Sequence, residues 1–530
     1  MKTDNIIIVG GGSAGWMTAA TLIKKFPKKN ITLIESNNTP IVGVGESTIG
    51  QINNWLSLLG IKDEDFMPHT DASYKLSIRF EDFYKKGDGG FHYPFGPIYQ
   101  KECLNGFKTW IMKKILYPET SYSDYAECMF TQMGLIKNNT ICKNENNEFP
   151  GFNFTRDVAY HFDATKFGIW LRDYFCIPKG VKHIIDDIVS VETNDDGIKS
   201  LNNKYTSDLF VDCTGFKSLL LGEALKEPFI SYSHMLPNNK AWATRVPYKN
   251  KEKQLEPFTN CTAIENGWVW NIPSWERIGT GYVYSDKYIT DKEALQEFKN
   301  HLDSKNHDYS NSEFKNITMR VGRHKRLFVK NVVAIGLSAG FIEPLESNGL
   351  YSTHEFLFAL VRTLNRGEQN SISQFDIDSY DSYCKSSFDQ FADFVAAHYA
   401  LSHRDDTKYW RDINKRQFSK KIVDMEYQSF YPGFDVLVYG KFKEYKFVEG
   451  GQQLISIGMR NLPLDKESVE YLDCLGFDND LNVALSNMYS PYIKKMNENK
   501  HKWNEIAKTK TKLIDFLKQI HKNAKIKKNE

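Results

Sequence analysis

What this 530-residue sequence lacks narrows it first. No stretch approaches the ~20 consecutive apolar residues of a membrane span. Neither sign of charge dominates: 68 Lys and Arg stand against 66 Asp and Glu, a formal net charge of +2. That balance gives no electrostatic footprint for nucleic acid or for an anionic membrane. No signal peptide is expected, since Met1–Asn5 leads straight into an apolar run that ends in glycines. The eight cysteines include no C-x-x-C pair and read as reduced, structural thiols of a cytoplasmic protein. There is no internal repeat, no metal-binding motif and no second G-x-G-x-x-G.

What is present is ordinary globular composition, 41% hydrophobic, with a high aromatic share of 14%. At ~100–200 residues per domain, the length predicts two to four packing units. An aromatic-rich interior either fills a large core or lines a pocket for a planar ligand.

The informative stretch comes first. Ile6-Ile7-Ile8-Val9 reads as a strand buried on both faces. It runs into glycines at 10, 12 and 15, then into a helix over Trp16–Phe26 stopped by Pro27. Ile31–Ile34 follows as a second strand ending in Glu35. Gly10 makes the tight turn, Gly12 lets backbone approach a pyrophosphate, and Gly15 lets helix pack on strand. Ser13 and Ala14 open the helix whose N-terminus faces the phosphate charge. Glu35 is placed to accept from a ribose hydroxyl, which suits FAD or NAD better than NADP. Gly45-Glu46-Ser47 closes a second glycine-rich loop. Two later segments, 207–216 and 327–340, read as further strands tipped by small residues, where cofactors sit in an open α/β sheet. From 366 onward the pattern is helical, ending in a Lys-rich amphipathic helix with Leu513, Leu517 and Ile520 on one face. With one nucleotide motif only, electrons are expected to arrive from outside the chain.

Three further motifs join the glycine triplet: Trp268-Val269-Trp270-Asn271-Ile272-Pro273, Phe341-Ile342-Glu343-Pro344-Leu345-Glu346-Ser347-Asn348-Gly349, and Tyr160-His161-Phe162-Asp163-Ala164. In this order over roughly residues 5–410 the chain resembles the flavin-dependent halogenases of the tryptophan-halogenase family. The resemblance implies an α/β fold with a flavin-monooxygenase-like, Rossmann-type FAD domain from 1–75, 153–225 and 320–365. Segments 76–152 and 226–319 would build the substrate side, and 366–530 a mainly helical C-terminal region. It also implies a two-component reaction. Reduced FAD (FADH₂) from a separate flavin reductase reacts with O₂, halide is oxidised to hypohalous acid, and this travels through a tunnel to an electron-rich aromatic small molecule. By the same resemblance, Gly10, Gly12, Ser13, Ala14, Gly15, Glu35, Gly45, Glu46, Ser47, Ile188, Gly336, Leu337 and Leu350 would hold FAD. Ser347, Asn348 and Gly349 would form the halide nest, with Asn348 where the family usually has Thr. Trp268 and Trp270 would crowd the flavin and keep organic substrate away from it. Glu346 would serve the substrate end as base or as stabiliser of the positively charged ring intermediate.

Two departures bear on activity. The family's catalytic lysine, placed by register in Tyr74-Lys75-Leu76-Ser77-Ile78-Arg79-Phe80, falls on Arg79. Arginine stays protonated and is a poor proton donor, so Arg79 would work only by polarising the oxidant. Alternatively Lys75 substitutes: a step of four shares a face in a helix, and being even also shares one in a strand. Otherwise the chemistry is slow or lost. The aromatic clamp keeps Phe95 but has Tyr93 where tryptophan-binding relatives have histidine. The 439–451 segment is short, basic and without tryptophan. Free tryptophan is therefore a doubtful substrate, and other indoles or phenols are expected. The rivals are a flavin hydroxylase and a catalytically impaired flavin-binding protein. Oligomeric state, a homo-oligomer included, stays open.

Overall fold

The computed structural model describes residues 1–38, 46–99, 106–366, 371–419, 451–461 and 479–527. Gly45 and most of the 439–451 segment lie outside the described residues.

The β-branched run at the N-terminus forms the strand Asn5–Val9, central in a six-stranded sheet. Asn30–Glu35 and then Lys182–Ile185 lie on one side of it, Leu209–Asp212 and then Val332–Ala334 on the other, all parallel. The helix Ser13–Lys25 begins earlier than its apolar periodicity suggests, because Gly12 is its N-cap. Segment 327–340 is not one strand. Lys330 takes a left-handed turn (φ 55°), so Phe328–Val329 folds back antiparallel on Val332–Ala334.

A seven-stranded sheet forms the second layer. Gly267–Pro273 and Phe258–Ile264 lie near its centre, and Ser77–Glu81 and Gly90–Pro94 at one edge. Trp268 and Trp270 point from one face. Val269 points from the other into a small separate core with Tyr282, Phe298 and Leu302, under the helix Asp291–Ser304. A three-stranded sheet of Glu46–Ser47, Ala159–Phe162 and Ser73–Lys75 joins the two layers. The long helices Gly349–Arg366 and Gln374–Ala400 pack on each other over the cleft between them. The terminal helix Leu513–Lys527 buries the apolar face read from its spacing. Phe516 meets the ring of Tyr74 at 5.8 Å, and His521 stacks on Trp275 at 4.6 Å.

Among the described residues no helix is long and apolar enough to cross a membrane. The six described cysteines, 128, 142, 176, 213, 261 and 384, are buried free thiols.

The glycine triplet separates into packing and open positions. A methyl on Gly15 would sit 1.9 Å from the Gly10 carbonyl oxygen, whereas one on Gly12 would meet nothing within 4 Å. Gly15→Ala is therefore expected to lower stability by about 1–3 kcal/mol, as overpacking does. Gly12→Ala should leave the denaturation midpoint unchanged but weaken FAD binding, measured by urea unfolding and by flavin fluorescence titration.

Candidate active site

The crevice at the carboxyl ends of the parallel strands gathers the residues expected to hold a dinucleotide. Gly10 turns the chain with φ 112°. The first helix starts at Gly12 with no side chain capping it, which leaves its first-turn amides directed into the open space above Gly12. Glu35 lies over Gly11, and its Oε1 is 2.7 Å from His183 Nε2. Ser13 donates to the Ala164 carbonyl, fixing the helix on the neighbouring strand–helix unit. Ala14 faces Gly336, where a methyl would approach it to 2.7 Å. Ile188 is half-buried beyond the edge strand Lys182–Ile185. Farther along, a crevice lined by Leu337, Phe341, Asn348, Gly349, Tyr351 and Phe391 runs between the 336–349 loops and the long helix. Leu350 is buried beside it at the start of its helix. An uncapped helix start, an open cradle at Gly12 and an acid at the second strand's end together fit FAD.

The loop after Phe341 carries the site's polarity. Pro344–Glu346 is a tight helical turn, and Ser347 then takes the left-handed conformation, φ 58°. The Ser347 amide donates to the Pro344 carbonyl at 2.9 Å, and the amides of Asn348 and Gly349 follow it as donors that an anion could use. Asn348 closes the loop by donating its side-chain amide to the Glu343 carbonyl at 3.3 Å. Gly349 opens the following helix, with the Glu46 carboxylate near it. Burial, then the Asp163 charge, lifts the Glu46 carboxyl to about 7.

Lys75 is fully buried beside this loop. Its ammonium donates to Ser347 Oγ at 2.8 Å and to the Thr48 carbonyl at 2.9 Å, and lies 5.0 Å from the Phe95 ring centroid. Ser347 in turn donates to Ser47, whose hydroxyl is 2.7 Å from that of Thr259, itself 2.9 Å from His161 Nε2. Burial pulls the Lys75 pKa down to about 7, against the opposing pull of Cys261 and Glu346.

Arg79 is elsewhere. The chain leaves the three-stranded sheet after Lys75 and enters the seven-stranded sheet at Ser77. Between them Leu76 donates to the Pro257 carbonyl and accepts from Phe95. This change of sheet breaks the even-step rule, so Lys75 and Arg79 do not share a face. Ile78 and Phe80 point with Tyr93 into the interior. Arg79 points the other way, a third exposed, paired with Glu81 at 3.3 Å in a polar cleft with Glu256, Asn260, His301 and Lys305.

Glu346 lies in an aromatic chamber. Tyr93 and Phe95 are buried with ring centroids 6.5 Å apart, and Tyr93 packs on Phe394 at 6.3 Å. Burial, then the Glu346 charge, pushes the Tyr93 phenol far up. His398, which the sequence reading passed over, has its Nε2 2.9 Å from Glu346 Oε1 and its ring 4.7 Å from that of Phe80. Glu343 was also missed. It is a buried carboxylate accepting from Asn238, Tyr399 and the Trp268 indole at 2.8, 2.8 and 3.2 Å. Trp268 and Trp270 stand 6.2 Å apart, with the Trp268 indole held on Glu343 of the same loop. Neither His398 nor Glu343 had a distinctive sequence signal: one is a single histidine on an aromatic helix face, the other an acid inside a motif read for its serine.

Removing the Glu343 carboxylate orphans three buried donors. Glu343→Ala is expected to destabilise the fold by about 3 kcal/mol in urea unfolding. Glu343→Gln, which keeps an acceptor, should lose less.

The chain matches the profile of the tryptophan halogenase family over residues 5–447. It is 34% identical over 443 residues to tryptophan 6-halogenase SttH of Streptomyces toxytricini, covering 79% of this chain and 83% of that protein. Among solved structures, VirX1 superposes with a TM-score of 0.83 at 36% identity, over 98% of this chain and 99% of the other. BrvH, a flavin-dependent halogenase from Brevundimonas sp. BAL3, gives 0.81 at 28% identity over 97% and 99%. With the nucleotide cradle, the Trp pair and the loop at 341–349 all in place, the chain belongs to the tryptophan-halogenase family and is an enzyme of the flavin-dependent halogenase class.

Proposed function

We propose that the protein halogenates an electron-rich aromatic small molecule, of indole or phenol type, with Lys75 as the group that handles the oxidant and Glu346 as the group that serves the ring. The observation that carries this reading is the meeting of Lys75 with Ser347 on one side and the aromatic chamber on the other. Reduced FAD, when bound, supplies with O₂ and halide the hypohalous acid on which the residues act. A separate flavin reductase would provide it, since the chain carries one nucleotide motif.

Gly10, Gly12, Ser13, Ala14, Gly15 and Glu35 would hold the nucleotide half of FAD. Glu46, Ser47, Ile188, Gly336, Leu337 and Leu350 would lie along the flavin end. In the nest at Ser347, Asn348 and Gly349 the backbone amides of Asn348 and Gly349 receive the halide, that of Ser347 being given to Pro344, and the Asn348 side chain shapes the loop rather than binding the ion. Trp268 and Trp270 fill the space between crevice and chamber and exclude the organic substrate from the flavin side.

Lys75 has three ammonium protons. Ser347 and Thr48 take two, and the third is available to the oxygen of hypohalous acid. As the ring's π electrons attack the halogen, the halogen–oxygen bond breaks. The oxygen leaves as water with the proton from Lys75. Positive charge on the ring is then stabilised by the Glu346 carboxylate, which accepts the ring proton and restores aromaticity. Because Lys75 titrates near 7 and works protonated, turnover should fall as pH rises through that value. Arg79 takes no part: its side chain points to the opposite face of the sheet.

Lys75→Met is expected to lower product formation on the order of 100-fold or more, with FAD binding retained. Arg79→Ala should change turnover by less than about threefold, as for a surface ion pair. The test is mass spectrometry of brominated product from a panel of indoles and phenols, supplied with a flavin reductase, FAD, O₂ and bromide. Loss of product in Arg79→Ala with Lys75→Met still active would reverse the two assignments. Product that gains oxygen and no bromine would favour a hydroxylase.

A further inference from the structure

We infer that His398 is a positioning residue that holds one proton against Glu346 and keeps its buried carboxylate ionised for the ring-proton step. This rests on the reading of Glu346 given above.

His398 lies inside the helix Gln374–Ala400 with no exposed side-chain surface. Its Nδ1 is 3.2 Å from the carbonyl oxygens of both Phe394 and Val395. Those groups only accept, so Nδ1 carries a hydrogen. The other ring nitrogen then faces Glu346 Oε1 at 2.9 Å, and neither of these two atoms has another hydrogen-bonding partner. With Nδ1 protonated, a neutral ring would set a bare nitrogen lone pair against a bare carboxylate oxygen inside a dry aromatic shell. Phe80, Phe83 and Phe394 all contact the imidazole. Two unpaired acceptors at that distance repel, and the low dielectric magnifies the repulsion. A proton between them converts the repulsion into a charge-assisted pair.

The contact is not aligned as a hydrogen bond. Other groups bear on the pair's charge. The Lys75 ammonium and Cys261 face Glu346 from their strands, Tyr93 faces it from the sheet edge, and Glu343 faces His398 from the same loop. Glu343 favours the imidazolium, and Lys75 opposes it. In the ring step, the carbon–hydrogen bond breaks, its electron pair returns to the ring, and its proton passes to Glu346. The imidazolium keeps its own proton throughout, so it acts through Glu346 and touches no substrate.

The protonation state is open to direct measurement in the full-length protein by ¹⁵N NMR of labelled histidine, with His398→Phe supplying the assignment. The expected wild-type signal at neutral pH is a doubly protonated imidazolium for His398, and Glu346→Gln should convert it to the neutral ring protonated at Nδ1. His398→Phe should retain FAD binding and leave KM for the aromatic near its wild-type value. It should also move the acidic limb of the kcat profile up, because Glu346 then loses the imidazolium and is left with the Lys75 charge alone. His398→Gln, a neutral donor, should fall between. A neutral His398 in the wild type, a signal indifferent to Glu346→Gln, or an unmoved acidic limb in His398→Phe would each overturn the inference. Absence of any halogenated product from the wild type would instead remove the proposed function, with the NMR titration still deciding the state of the pair.

Discussion

The site turns on one buried ammonium. Lys75 has no contact with solvent, yet its charge has two fixed acceptors, a backbone carbonyl from Thr48 and the hydroxyl of Ser347. Burying a lone ammonium costs several kcal/mol, and a lysine in that position either finds partners or gives up its proton. Here it does part of each: it is hydrogen-bonded, and its pKa is drawn down to about 7. Much of the surrounding architecture follows from holding that group in place. The three-stranded sheet that carries Lys75 also carries Ser47 and His161, and the hydroxyl chain from Ser347 through Ser47 and Thr259 to His161 joins both layers of the fold.

One loop reaches several of these groups. Ser347 answers Lys75, Glu346 enters the aromatic chamber, and Glu343 anchors Trp268 from behind with Asn238 and Tyr399. A seven-residue stretch thus carries Ser347 beside Lys75, Glu346 in the chamber and Glu343 on the Trp268 indole. A substitution there bears on all three contacts at once.

The nucleotide half was legible in the sequence because its physics is local. A strand, a glycine turn, a helix start and a terminal acid follow one another within 35 residues, each with its own residue preference. The catalytic half was less legible because it depends on where a strand changes partners. The periodicity that put Lys75 and Arg79 on one face assumes a single sheet. Leu76 ends that assumption by bonding to Pro257 and Phe95, so Lys75 turns inward and Arg79 outward. The hairpin at Lys330 escaped for a similar reason, as a left-handed lysine has no composition signal. His398 and Glu343 take their significance from partners more than 50 residues away, which no local pattern encodes.

The most direct test is diffraction from FAD-loaded crystals soaked in bromide, with data collected at the bromine absorption edge. The account predicts an anomalous peak in the nest at Ser347–Gly349, on the crevice side of the loop near Leu337 and away from the aromatic chamber. Bromide bound instead beside Arg79 and Glu81, or an empty nest with the ion on the chamber side of Trp268 and Trp270, would contradict it.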